Sequence, residues 1–194
     1  SKLYRKTIIS VPVADYVPQL CSDIISLLNT SFSSLSDDDK AAIYNFVSEQ
    51  EFLLENYFDD KNIDLVEAHG DFQPGNILCS ENDFWIIDWE YSDQRSIFYD
   101  ALVFDLECRF PSGLSMRLDK KINELSIMRD YLRWTSQSLD DKKIHYFSIF
   151  FLEDLLLRMG EISVESIQAK SEALSTYLAE LVAIQKILIE HIKN

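Results

Sequence analysis

Four acidic or amide side chains lie close together in the middle of the sequence: Asp71, Asn76, Asp88 and Glu90. Asp71 and Asn76 are five residues apart in a segment rich in turn-forming residues, and such a loop can direct both side chains to one point. Asn76 leads into one short apolar run and Asp88 ends the next, so pairing of the runs as strands about 4.8 Å apart brings both residues to the same end. Their oxygens suit a hard cation such as Mg²⁺, which keeps phosphate oxygens and waters as further ligands. Asp71 then remains to orient or deprotonate a nucleophile.

The elements that must position these residues are a strand, a loop and a hairpin. Residues 63–68 alternate between apolar and polar side chains, which predicts a strand. Residues 69–76 are rich in loop-forming types. The apolar runs 77–79 and 84–88 are separated by a polar tetrapeptide, which predicts a hairpin. The sequence therefore places the polar cluster on a loop between one strand and a hairpin.

Most of the remaining sequence has the apolar spacing of helices. The predicted helices span residues 19–29, 37–57, 97–110, 118–135, about 138–159 with Gly160 as the end, and 164–193. Residues 7–13 are β-branched and apolar and favour a strand, although Pro12 and Pro18 interrupt this segment. Ser36 followed by three aspartates fits a helix N-cap with an acidic first turn better than a metal site. We therefore predict a mainly α (α+β) fold in a single domain, residues 1–194.

Composition and charge exclude several classes of protein. The chain has 194 residues, is 47% hydrophobic and carries a formal net charge of -15, which fits a globular domain that repels nucleic acid and anionic membranes and attracts small cations. Three cysteines do not form a disulfide framework, which favours a cytoplasmic location. No apolar run approaches the roughly 20 residues of a membrane span.

The polar cluster has the sequence pattern of a known family. Residues 69–78 (HGDFQPGNIL) followed by 85–90 (WIIDWE) resemble the aminoglycoside phosphotransferase and choline kinase family, whose members are small-molecule kinases with a protein-kinase-like fold. Residues 87–92 (IDWEYS) are especially similar to the bacterial choline and thiamine kinase branch, and residues 99–102 (YDAL) resemble a later segment of the family. The resemblance covers roughly residues 60–110 well and the rest only in helical character.

The resemblance implies a role for individual residues. Asp71 matches the catalytic base, which accepts the proton of the acceptor hydroxyl, and Asn76 and Asp88 match the ligands of Mg²⁺. His69 and Asp100 match residues that support the catalytic loop. Two residues match positions near a cationic acceptor: Glu90 and Tyr91.

Several of these residue types have ordinary structural explanations. A single aspartate in a loop is commonly a turn former, so the hypothesis depends on the whole set and its spacing. Trp134 together with Tyr131 can form one wall of a cationic pocket, although core packing is the ordinary role of aromatic side chains on helices. Cys79 and Cys108 fit small core residues better than nucleophiles.

The family pattern is incomplete at the N-terminal side. Kinases of this fold hold the nucleotide phosphates with a glycine-containing loop and a lysine of an N-terminal lobe, whereas the first glycine of this chain is Gly70. We therefore interpret the chain as a C-terminal lobe without the nucleotide lobe. Its parts are leading helices (1–60), a segment with the catalytic loop, hairpin and metal ligands (61–110), and a helical subdomain (111–194).

Two functional hypotheses follow from the sequence. The first is the C-terminal lobe of an ATP- and Mg²⁺-dependent phosphotransferase acting on a hydroxyl of a small molecule that is choline-like, an aminoglycoside or a sugar. In this hypothesis a nucleotide lobe comes from the same or another chain, and the chain alone is inactive. The alternative is a catalytically inactive, kinase-like binding or scaffold module. A metal-dependent phosphoesterase is a third reading, but it needs more ligands than the hairpin supplies.

Overall fold

The structure is a computed structural model that describes residues 6–58, 61–81, 83–123, 143–163 and 167–193. The chain is mainly helical, as the sequence predicted, and has two small antiparallel sheets, of which the sequence predicted the two-stranded one as a hairpin. The strands are β1 (Ile9–Pro12), β2 (Asn62–Ala68), β3 (Ile77–Cys79), β4 (Phe84–Ile86) and β5 (Asp93–Ser96). The helices within these ranges are α1 (Val13–Ser31), α2 (Asp37–Tyr57), α3 (Tyr99–Asp105), α4 (Leu114–Asn123), α5 (Lys143–Ile162) and α6 (Ile167–Lys193).

The larger sheet has the order β1–β2–β5, and it leads the chain into the polar cluster. β1 pairs with β2 through Ile9 and Leu65, and β2 pairs with β5 through Leu65 and Ser96. β1 lies within residues 7–13, where the sequence favoured a strand. β5 was not among the predicted strands. β5 has no apolar alternation because its inward side chains are polar: Ser96 is buried against Glu153 of α5.

The smaller sheet is the predicted hairpin. β3 and β4 pair in antiparallel register, with Ile77 opposite Ile86 and Leu78 opposite Trp85. The hairpin is two residues shorter than predicted, because Ile87 and Asp88 leave the strand conformation to form part of the site described below.

Two prolines lie at the start of α1 without breaking it. The helix begins at Val13, directly after Pro12, and continues through Pro18, although the sequence predicted a start at residue 19. Pro18 removes one backbone hydrogen bond near the helix start. The helix nevertheless persists because its apolar face, including Val17 and Ile24, is buried in the core.

The other helices differ from prediction mainly at their ends. α2 has the predicted bounds, and Ser36 caps it by accepting a hydrogen bond from the Asp39 N–H at 3.1 Å. α3 is shorter than the predicted helix 97–110 because turns follow Asp105. α4 begins at Leu114, four residues earlier than predicted. α5 passes Gly160 and ends at Ile162, since Gly160 does not adopt the left-handed conformation of a C-cap.

A buried carboxylate links β5, α1 and α5. Glu153 accepts hydrogen bonds from the Tyr16 hydroxyl at 2.5 Å, and from the Ser96 N–H and hydroxyl at 2.6 Å each. Burial raises the pKa of Glu153 from 4.5 to about 7, although the hydrogen bonds from Ser96 and Tyr16 act in the opposite direction.

We expect this carboxyl to make the stability of the protein pH-dependent. Between about pH 4.5 and 7 the folded protein keeps a proton on Glu153 that the unfolded chain has lost, so raising the pH favours unfolding. The contribution of Glu153 to the free energy of unfolding should fall by on the order of 3 kcal/mol across this pH range. Urea unfolding across the same pH range should show wild-type stability falling relative to Glu153→Gln, which cannot titrate. Parallel pH profiles for the two proteins would contradict the assignment.

No helix in the described ranges is both long enough and apolar enough to cross a membrane.

Candidate functional site

The loop after β2 is held in place by one buried carboxylate. Asp100, in the first turn of α3, accepts hydrogen bonds from the backbone N–H of His69 at 2.8 Å and of Gly70 at 3.1 Å. A carboxylate that accepts two buried backbone N–H groups fixes the direction in which the chain leaves β2. The position of Asp71, the next residue, is therefore set by α3 as well as by the sheet.

His69 connects this loop to the end of the hairpin. Its Nε2 lies 2.7 Å from the Ile87 carbonyl, and its Nδ1 accepts a hydrogen bond from the Asp71 N–H at 3.2 Å. The neutral tautomer with the proton on Nε2 satisfies both contacts. The indole of Trp89 packs edge-on against the imidazole, with ring centroids 4.8 Å apart. Both ring nitrogens are thus engaged in holding the loop, and neither is available as a general base.

Gly70 is required by the close approach of two loops. It has a φ of +86°, and a Cβ added at this position would lie 2.3 Å from the carbonyl oxygen of Tyr91. We expect Gly70→Ala to lower the free energy of unfolding by about 3 kcal/mol, because both the conformation and the space exclude a side chain.

The matched control for this substitution is Gly75→Ala in the same loop. A Cβ added at Gly75 meets nothing within 4 Å, and its φ is not in the left-handed region. Urea denaturation should therefore show a change within about 0.5 kcal/mol for Gly75→Ala. Equal losses for the two variants would contradict the role assigned to Gly70.

The carboxylate of Asp71 is surrounded by donors. Its Oδ2 accepts hydrogen bonds from the Gln73 side chain at 2.9 Å and from the Asn76 amide at 3.0 Å. The same Asn76 nitrogen also donates to the Asp71 backbone carbonyl at 2.8 Å. Oδ1 accepts a hydrogen bond from Nε of Arg109. Two of the predicted site residues, Asp71 and Asn76, are thus in direct contact.

Arg109 joins Asp71 to the end of α5. Its Nη1 donates to both carboxylate oxygens of Glu161 at 2.9 Å, and its guanidinium carbon lies 5.6 Å from the centre of the Tyr91 ring. Burial alone lowers the pKa of Arg109, but hydrogen bonds and charges of Glu161 and Asp71 outweigh it and raise the pKa above its usual value. The guanidinium therefore stays charged between two carboxylates.

Asp88 lies beside this cluster in a strained backbone conformation. Its φ is +67°, which non-glycine residues rarely adopt outside turns and functional sites. The preceding residue is fixed on both sides, because Ile87 donates its N–H to the Asn76 carbonyl at 3.0 Å and its carbonyl contacts His69. The Asp88 side chain is exposed, and no described group donates a hydrogen bond to its carboxylate.

The remaining predicted site residues are Tyr91, Glu90 and Trp134. Tyr91 is half-buried next to Arg109, and its pKa is raised by burial and by the nearby Glu161 and Glu90. Glu90 is exposed. Trp134 lies outside the described residues.

The donor set around Asn76 and Asp88 fits a magnesium ion in its chemistry. The Asn76 nitrogen is used by Asp71, which leaves the amide oxygen, and Asp88 presents an exposed carboxylate. Hard oxygen donors in small number are what Mg²⁺ binds together with phosphate oxygens and water. Within the described ranges no three His, Cys, Asp or Glu side chains form a metal-binding group.

A cavity of about 480 Å³ opens next to this cluster. Its lining includes Tyr91 and Glu161, which contact Arg109. Three further carboxylates line it from α1, β5 and α5: Asp23, Asp93 and Glu153. Arg95 also lines the cavity, and Glu153 keeps its proton up to about pH 7, so the negative charge comes from Asp23, Asp93 and Glu161 against one guanidinium. A lining that is negative on balance and contains a tyrosine ring favours a positively charged ligand.

Arg109 and Glu161 are the two residues of this site that sequence analysis missed. They are 38 and 90 positions beyond Asp71, and neither belongs to a recognisable motif. Tertiary packing brings the turn after α3 and the end of α5 to the loop after β2, so no spacing rule could have identified them.

No protein-family model matches this sequence, and no curated protein matches it.

Proposed function

We propose that this chain is the catalytic lobe of an ATP-dependent phosphotransferase that acts on a hydroxyl group of a small molecule. The observation that carries the proposal is the direct contact between Asp71 and Asn76 on a loop fixed by Asp100. Asp88, strained and exposed, follows a residue bonded to that same loop. A base, an amide oxygen and a second carboxylate are the parts that phosphoryl transfer needs on this side of the nucleotide.

Each residue has one task in this proposal. Asp71 orients the acceptor hydroxyl and takes its proton, and Asn76 and Asp88 hold Mg²⁺. ATP supplies the phosphoryl group, and Mg²⁺ neutralises the charge of its phosphates when bound. Asp100 and His69 keep the loop rigid, so Asp71 is already positioned for the reaction and needs little rearrangement.

The exposed hairpin supports docking of a nucleotide lobe, from the same or another chain. Leu78 and Trp85 lie opposite each other on one face and are 50% and 54% exposed. Phe84 on the other face is 69% exposed. Large apolar side chains grouped in this way mark contact surfaces. The surface adjoins Asn76 and Asp88, where a nucleotide would lie between the two lobes.

One observation favours the alternative of an inactive binding module. Arg109 occupies Oδ1 of Asp71, the atom that a base needs for its substrate. A protein that had lost catalysis could keep such an ion pair permanently.

Activity with and without the nucleotide lobe tests the proposal. We expect the 194-residue chain alone to show no ATP-dependent phosphorylation of choline, thiamine or aminoglycosides, because the nucleotide is held from one side only. The same chain joined to its nucleotide lobe should form a phosphate monoester, detectable by ³¹P NMR. Robust activity of the chain alone would remove the need for a second lobe, and an inactive completed protein would favour the binding module.

A further inference from the structure

We propose that Arg109 is an internal cation that occupies the acceptor position beside Asp71, and that a cationic acceptor must displace its guanidinium from Asp71 and Glu161. The inference rests on the proposed function, because it takes Asp71 as the base. In this proposal Arg109 acts as a gate. While its guanidinium contacts Asp71 the acceptor site is closed, and the structure describes this closed state.

The contacts of Arg109 are those of a bound ligand cation. Two carboxylates, from Asp71 and Glu161, hold the guanidinium, and the Tyr91 ring covers it at 5.6 Å. Its remaining nitrogen, Nη2, is buried, and no described residue accepts a hydrogen bond from it. The guanidinium is therefore held at two points, but its buried, unpaired nitrogen costs free energy in this position, which favours its displacement by a competing cation.

Arg109 leaves the Asp71 carboxylate one acceptor position, on the same oxygen that contacts the guanidinium. A carboxylate has about four acceptor positions. Gln73 and Asn76 take both positions on Oδ2, and Arg109 takes one on Oδ1. Displacement of the guanidinium frees Oδ1, the oxygen that faces away from the metal ligand Asn76.

The charge of the site selects what can displace Arg109. Its departure leaves Asp71 and Glu161 as partly buried carboxylates without their cation, which is costly unless another positive charge takes its place. The adjoining 480 Å³ cavity, with its acidic lining, supplies the path for such a group. A neutral hydroxyl compound offers no replacement charge, so the gate discriminates against it.

The structure also offers space for the Arg109 side chain once it is displaced. A second cavity of about 370 Å³ is lined by Arg109 itself together with Gln73, Phe104 and Phe110. The guanidinium can swing into this space and stack on an aromatic ring without unfolding the loop.

Binding of small probes to the 194-residue chain tests the gate without any nucleotide. Arg109→Gln removes the internal cation and keeps a side chain of polar character. NMR titration should show ethanolamine binding at least about tenfold more tightly to this variant than to the wild type, while ethylene glycol, a neutral probe of the same size, gains no affinity. Unchanged or weaker ethanolamine binding would overturn the proposal.

Lys186→Gln is the matched control. Lys186 is exposed on α6, so the variant loses one positive charge without touching Asp71, Glu161 or the turn that carries Arg109. It should bind ethanolamine as the wild type does. An equal gain in both variants would mean that only the overall charge matters, and would overturn the gate.

A readout in the wild-type protein covers the case in which Arg109→Gln does not fold. The Nε–H proton of Arg109 donates to Asp71, so its NMR signal reports on that bond. Ethanolamine should shift or remove this signal, and ethylene glycol should not. A signal that stays unchanged throughout the ethanolamine titration would overturn the proposal. Failure of phosphoryl transfer in the completed protein would instead count against the proposed function, because these binding measurements involve no nucleotide.

Discussion

Asp71→Asn should lower the turnover of the protein completed by its nucleotide lobe by about 10²-fold or more, the range expected for loss of a positioned base. The asparagine oxygen can still accept hydrogen bonds from Gln73 and Asn76, so the loop should keep its shape. The variant loses the negative charge, the ability to take the hydroxyl proton and the ion pair with Arg109. The KM for ATP should change much less, because in the proposed function Asp71 contacts the acceptor and not the nucleotide.

Gln73→Ala is the control for Asp71→Asn. It removes one hydrogen bond to the Asp71 carboxylate but keeps the carboxylate itself. Steady-state kinetics should show a much smaller loss of turnover than in Asp71→Asn. Turnover of Asp71→Asn close to the wild-type value would contradict the assignment of Asp71 as the base, as would an equal loss in the two variants.

The elements with strong local signals were predictable from the sequence. α2 has the predicted bounds because Ser36 is a side-chain cap and the apolar face repeats with helical spacing over 21 residues. The hairpin was predictable because two apolar runs flank a short polar turn. Asp71 and Asn76 meet as predicted, since both lie on the loop between β2 and β3 and need no distant element to contact each other.

The parts that were missed depend on contacts between distant segments. β5 is polar, and only β2 beside it and Glu153 beneath it make it a strand. Arg109 reaches Asp71 because turns follow α3, where helical spacing had predicted a continuing helix. Such features depend on tertiary packing, which produces no periodic pattern in the sequence.

Asp88→Asn should remove most of the Mg²⁺ binding of the 194-residue chain, as measured by titration calorimetry. Binding to the wild type should itself be weak, because Mg²⁺ gives up its water reluctantly and the chain offers few donors without nucleotide phosphates. The substitution should barely change stability. Asparagine tolerates a φ of +67° at least as well as aspartate, and the wild-type carboxylate accepts no hydrogen bond from a described group.

The net charge of -15 requires a control for this result, since any lost carboxylate weakens attraction of a cation. Asp83→Asn provides it, because Asp83 is an exposed aspartate at the turn of the same hairpin and lies at the opposite end from Asp88. Specific coordination predicts a large loss of Mg²⁺ affinity for Asp88→Asn and a small one for Asp83→Asn. Similar affinities in the two variants would show that Mg²⁺ responds to overall charge, and Asp88 would no longer stand as a ligand. A large loss confined to Asp88→Asn would assign the metal to the carboxylate of Asp88, because both variants lose one negative charge from the same hairpin segment and only Asp88 follows a residue bonded to Asn76.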